Sequence, residues 1–199
     1  MPMARRFLIL VLLAGAAYPQ TSTWRIDTLH SSAHFAVRHM MVSMVRGQFG
    51  GLKGQVSLNE QEIEKSTVEA TVDAATLNSG EPKRDKDLKG PDFFDVEKFP
   101  ALLFRSTRVE RAGSERLRVT GDLTLRGVTR PVTFDVDGPT APVSDKKVLR
   151  RGLSATARIN RRDFGITWNR VIETGGVAVS DEVSITLDVE LVPHTEPRP

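Results

Sequence analysis

The stretch RLRVTGDLTLRGVTRPVTFDVDG, Arg116–Gly138, decides the fold class. Leu117, Val119, Leu123 and Leu125 alternate with Arg118, Thr120, Asp122 and Thr124. After a turn within LRGVTRPV, Val132, Phe134 and Val136 alternate with Thr133, Asp135 and Asp137. A period of two puts one set of side chains on each face of a strand, so both runs read as strands with one apolar and one wet face. The pattern repeats outward in both directions. TVEATVDA, LSATARI and EVSITLDVELV alternate in the same way, and TWRID, AHFAVRH, RGQFGGLKGQVSL and ALLFRSTRVE are further strand candidates. Eight or nine antiparallel strands joined by Gly-, Pro- and Asp-bearing turns predict an all-β closed barrel or sandwich.

Two segments break the alternation. Asn78–Pro100 is a long insertion carrying Leu88, Phe93, Phe94, Val96 and Phe99. Short helices are expected around residues 81–98, with the large apolar side chains packed against the barrel as a lid. INRRDFGITWNRVIETGGVAV predicts a helical turn around Asn160–Phe164 followed by a loop, with Arg162 and Asp163 as a structural ion pair.

MPMARRFLILVLLAGAA, residues 1–17, has two arginines, a short apolar run and small residues, the pattern of a secretory signal peptide cleaved after Ala16 or Ala17. The run falls short of the roughly 20 residues of a membrane span. Without Arg5 and Arg6, 26 Lys+Arg remain against 25 Asp+Glu, a formal charge of +1. Near-neutrality with interspersed signs gives no electrostatic reason to seek nucleic acid. No cysteine is present, which excludes thiol chemistry, disulfide staples and a lipid anchor on cysteine. The remaining chain, long enough to form a core unaided, reads as one domain over residues 24–192 with a tail at 193–199. The expected location is the periplasm or an equivalent secreted space.

LHSSAHFAVRHMMVSM, Leu29–Met44, holds three of the four histidines. On a strand His30 and His34 would lie about 13 Å apart and His39 would face the other way. No HExxH places two rings on one helix face, so no metal site is expected. DKDLKG begins like a calcium loop, but Lys89 and Val96 stand at the fifth and twelfth positions. The glycines of GQFGGLKG fit no phosphate-binding spacing and are expected to mark bulges in a barrel wall. Nothing resembles a nucleophile elbow. What stands out is apolar supply: Phe35, Met40, Met41, Met44, Phe49, Phe93, Phe94, Phe99, Phe104, Phe134, Phe164 and Trp168. These side chains either pack a dry core or line an apolar cavity.

Four blocks in order, DTLHSSAHFAVRHMMVSMVRGQFGGLKG, KRDKDLKGPDFFDVEKFPALLFRST, VTGDLTLRGVTRPVTFDV and INRRDFGI, resemble the YceI-like family of secreted bacterial, polyisoprenoid-binding, lipocalin-like proteins. The resemblance runs from Trp24 to Leu191. It implies an extended eight-stranded antiparallel barrel with an apolar pore for a long-chain amphiphilic isoprenoid lipid, a polyisoprenoid or isoprenoid quinone. It implies no catalytic residues and no cofactor beyond the lipid. The candidate lining is Phe35, Val37, Met41, Met44, Phe49 and Val72; Leu88, Phe93, Phe94, Phe99 and Phe104 around the insertion; and Leu123, Phe134, Ile159, Phe164, Trp168 and Leu187. The Met-rich HMMVSM is the least typical feature. Transient membrane contact and a homodimer are left open. The competing readings are a ligand-free structural or stress-response barrel and an enzyme using His30 or His34.

Overall fold

The computed structural model describes residues 21–146, 148–173 and 175–194. The expected signal peptide and most of the expected tail lie outside these residues. The strands are β1 Thr21–Ile26, β2 Ser32–His39, β3 Ser43–Phe49, β4 Lys53–Asn59, β5 Thr67–Asp73, β6 Ala101–Arg111, β7 Arg116–Leu125, β8 Val128–Asp137, β9 Val143–Asp145, β10 Val148–Asn160 and β11 Val179–Pro193. One α-helix, α1 Pro82–Lys89, lies in the insertion, and a 3-10 turn spans Arg161–Phe164. No described helix is long and apolar enough to cross a membrane.

All the strand pairings are antiparallel, and the sheet closes through β10 and β11. Eight strands form the ring: β11, β1, β4, β5, β6, β7, β8 and β10. The long β11 pairs with β1 near its C-terminal end and with β2 along Val179–Asp188, so the β2–β3 hairpin extends the wall. Closure leaves few free edges.

The Arg116–Gly138 stretch folds as its alternation dictates. β7 and β8 pair from Arg116↔Asp137 to Leu125↔Val128, and the turn narrows to Arg126 and Gly127, both at positive φ. Leu117, Val119, Leu123, Leu125, Val132, Phe134 and Val136 are buried. On the outer face Arg116 and Arg118 pair with Asp137 and Asp135 at 3.0 and 3.7 Å. Burying a side chain the size of Phe134 contributes about 1.5–3 kcal/mol.

RGQFGGLKGQVSL, expected as one strand, is two: β3 ends at Phe49 and β4 begins at Lys53. The chain turns at Gly51, where φ is +69°. The glycines of this stretch do not sit at bulges; the ladder irregularities fall between Val179 and Val183 and between Ser106 and Arg108. Gly47 instead makes room for a ring, since a Cβ there would lie 2.4 Å from Phe35 Cζ. The hairpin strand β9 carried no clear alternation and was not expected.

Candidate functional site

The inward faces of the strands enclose an apolar cavity of about 240 Å³. Phe35 and Val37 of β2, Phe49 of β3, Val72 of β5 and Phe104 of β6 line it. Leu123, Phe134, Ile159 and Leu187 continue the wall through β7, β8, β10 and β11. Each sits where strand parity puts it. The same parity brings in Ile26, Val56, Val119, Val136, Leu153, Ala155, Ile185 and Val189.

The insertion supplies the remaining expected wall: Leu88, Phe93 and Phe94. Its start is pinned by hydrogen bonds. The Glu81 carboxylate caps α1 by accepting from the backbone N–H of Lys83 and Arg84, which holds its pKa below the usual carboxylate range. Asp85 accepts from the Ser79 hydroxyl and backbone N–H, which lowers its pKa too. Arg126 donates to Pro91 O at 2.6 Å and to Gly165 O, tying the insertion to the 3-10 turn. Thus fixed, Phe94 packs on Phe35 and Phe49 with ring centroids at 6.5 and 5.3 Å, and Phe104 meets Phe134 edge-on at 5.2 Å.

Five expected lining residues fall elsewhere. Met41 and Met44 project from the β2–β3 hairpin into solvent. Phe99 packs against Gly127, behind the wall. Phe164 is fully buried within the core cluster without reaching the cavity. Trp168 is half-exposed and stacks on the outside of Phe93, centroids 5.3 Å apart. None lies inside a regular barrel strand except Met44, which has the outward parity of β3; alternation could not place the others.

Three residues with polar side chains border the lining: Ser66, Arg161 and His34, the last on the parity of β2 opposite to Phe35 and Val37. Ser66 Oγ accepts from Asn59 N at 2.9 Å, and His34 Nε2 lies 2.8 Å from Ser32 Oγ. Arg161 is 4% exposed. Its Nε donates to Ser180 O at 2.9 Å, and Nη1 donates to Ile166 O and Trp168 O, both at 2.8 Å. Nη2 donates to Val179 O at 3.4 Å and Asp181 at 3.2 Å, so all five N–H donors have acceptors. Burial pushes its pKa down, partly offset by Asp181. The structural arginine of NRRDFG is therefore Arg161 with Asp181, not an Arg162–Asp163 pair; Arg162 reaches Asp181 only at 3.8 Å. Continuing the inward parity of β10 from Ile159 by two residues would have found it. Among the described residues no carboxylate lines the cavity, so it offers no acid–base pair.

The three clustered histidines do not converge. His30 lies in the β1–β2 connection, His34 and His39 on opposite parities of β2. His30 joins a group not foreseen, Asp27, His30 and Glu190, whose ligand-type atoms lie within 4.8 Å of one another. Arg150 already sits there, donating to Glu190 and, at 3.2 Å, to Asp27. A guanidinium thus neutralises the acids where an ion would bind. Hydrogen bonds from His30, then the Leu29 backbone N–H and then Arg150 hold the Asp27 pKa below its ordinary value, and Glu190 raises that of Arg150.

At the end of the barrel away from Arg161, the cavity opens toward a polar vestibule bounded by Glu60, Arg111, Glu115, Asp137 and Arg151. Leu58, Ile63, Leu117, Pro139 and Leu153 border both spaces. Arg151 ion-pairs with Glu60, donates to Thr140 O at 3.3 Å and lies 5.0 Å over the Trp24 ring. Its buried Nε has no hydrogen-bond partner among the described residues.

The model of the YceI-like domain matches residues 24–191. A UPF0312 protein of Vibrio parahaemolyticus is 37% identical over 149 residues, 74% of this chain and 79% of that one. The crystal structure of Burkholderia cenocepacia BcnA superposes with a TM-score of 0.71 at 23% identity, covering 83% of this chain and 98% of that one. A domain from Saccharophagus degradans, described as polyisoprenoid-binding and implicated in plant cell wall breakdown, gives 0.58 at 13% identity over 85% and 98%.

Proposed function

This chain belongs to the YceI-like family, and we propose that it is a periplasmic carrier for a long-chain amphiphilic isoprenoid lipid, a polyisoprenoid or an isoprenoid quinone, and not an enzyme. The observation that carries this reading is the cavity wall: strand after strand presents only carbon to an enclosed space, and the few polar atoms there are engaged within the protein. Such a space rejects water and polar substrates and accepts hydrocarbon. The polyisoprenoid ligand named for the Saccharophagus domain supports the lipid class.

Energetics argue for a carrier rather than a tight sink. Moving hydrocarbon out of water gains roughly 0.8 kcal/mol per methylene. An isoprenoid lipid starts in a bilayer that is equally apolar, so the net gain is small and shape decides the balance.

One observation favours the rival reading, a barrel without ligand. The cavity of about 240 Å³ is below the ~300–1,000 Å³ of most ligand pockets. A long chain enters only if rings such as Phe35, Phe94 and Phe104 rotate outward. Organic extraction of protein purified from its native compartment, followed by mass spectrometry, separates the two. The carrier reading predicts near-stoichiometric isoprenoid lipid; protein that is lipid-free after gentle purification, and takes up none from vesicles, contradicts it.

A further inference from the structure

We infer that the β2–β3 hairpin tip and the facing 168–177 loop form a membrane-docking surface, through which the protein meets an anionic bilayer beside the mouth of its cavity. The inference rests on the lipid-carrier reading and names the partner of that site.

The tip is Met40–Val42, between His39 and Ser43, which pair with each other. Met40 and Met41 adopt φ of +49° and +61°. Left-handed backbone favours Gly, Asn or Asp, so two methionines there are strained. They are also in solvent: Met41 is 54% and Val42 80% exposed, with Met44 beside them. Neither stability nor solubility accounts for that choice. Trp168, Val171 and Val177 add exposed apolar surface from the facing loop. The two segments are joined, since Met40 N donates to Ala178 O at 2.8 Å and Met41 lies against Gly176.

This surface is continuous with the cavity. Trp168 stacks on Phe93, and Phe93 lines the interior. An apolar chain leaving a bilayer would thus find a run of apolar side chains, Met41, Trp168 and Phe93, leading to the cavity.

The charges around it suit a lipid headgroup layer. Arg38, Arg46 and Arg170 are exposed, and none has a carboxylate within ion-pair distance among the described residues. Arg38 and Arg46 share the outer face of the hairpin with Met44. Neighbouring Arg158 and Arg162 are paired with Glu182 and Asp181, and Glu173 is the acid of the loop itself. Tryptophan and methionine beside unpaired arginines match an interface of acyl chains and phosphates. Val143, Val148 and Leu149 are also exposed at the other end, but they lie beside Arg150, which is paired with Asp27 and Glu190, and include no aromatic ring.

The test is co-sedimentation of the folded protein with vesicles of phosphatidylethanolamine and phosphatidylglycerol, and with phosphatidylcholine alone. The wild type should bind the anionic vesicles more tightly. The Met41→Ser/Val42→Ser variant should lose about tenfold in vesicle affinity, with Tm and co-purified lipid unchanged but slower lipid uptake from vesicles. Arg38→Gln with Arg170→Gln should remove the preference for phosphatidylglycerol. Equal binding by wild type and the apolar variant overturns the inference, as does a patch that proves to be a dimer contact, with no vesicle binding. Vesicle binding by a protein that never yields lipid refutes the carrier reading and leaves the docking surface standing.

Discussion

Arg151 has the inward parity of β10, and Arg161, ten residues on and just past the strand's end, continues it; the two close the barrel in opposite ways. Arg161 is buried among four backbone carbonyls and the Asp181 carboxylate, which together take every one of its donors. Around it the rim is apolar, with Met41, Val42 and Trp168 outside. Arg151 is held by Glu60, Thr140 and the Trp24 face, keeps donors in reserve, and stands in a ring of charged groups. A charged side chain facing an apolar pore thus serves two ends. One organises loops so that the surface can stay apolar. The other sets a polar boundary where the apolar wall stops.

The largest expected break in this comparison is Arg161→Met. It removes the donors that serve Asp181 and four backbone carbonyls, of which Val179 O keeps Asn169 Nδ2 at 2.7 Å, and should cost about 3–5 kcal/mol in urea unfolding of lipid-free protein. Arg151→Met removes one partly exposed ion pair and a cation–π contact, about 1 kcal/mol or less. Equal losses would erase the distinction between the ends. Next comes Gly47→Ala, whose methyl would meet the Phe35 ring at 2.4 Å. Overpacking predicts a loss of about 1–3 kcal/mol, together with less lipid per protein as Phe35 is driven inward. Unchanged lipid content with lost stability would mean the ring moves away from the cavity.

The smallest expected effect concerns Asp27. Its folded pKa is depressed, first by the His30 hydrogen bond. The stabilisation is therefore present above the ordinary carboxylate range and disappears as pH falls through the depressed folded value. Melting curves of wild type and Asp27→Asn should differ near neutrality and converge in acid. A gap that persists at low pH would assign the effect to packing.

Period-two alternation is enough to read a closed barrel or a sandwich, because every ring strand has one dry and one wet face; the family resemblance chose the barrel. Alternation put Phe35, Val37, Phe104 and Phe134 on the apolar face, and the resemblance placed a pore there; all four line the cavity. Alternation had no hold on Phe164, which ends a 3-10 turn, on Trp168, which follows it, or on Phe99 in the insertion, where parity has no meaning. The Asp27–His30–Glu190 group was invisible because it is assembled by β1 lying against β11, where Asp27 N donates to Glu190 O at 2.8 Å. The glycines of GQFGGLKG were legible as special positions but not in their role. Spare room for a neighbour's ring leaves the same mark in a sequence as a bulge.

The most direct test of the lipid-filled barrel is Val37→Trp, measured as lipid per protein and as thermal stability of the delipidated form. Val37 lines the cavity on β2, opposite Val183 of β11 and Val45 of β3. In a pore the indole takes space from the lipid, so lipid per folded protein should fall while the delipidated Tm stays close to wild type. In a dry core it overpacks, at a cost of about 1–3 kcal/mol. A delipidated protein that unfolds early, with lipid per folded molecule unchanged, would contradict the carrier account.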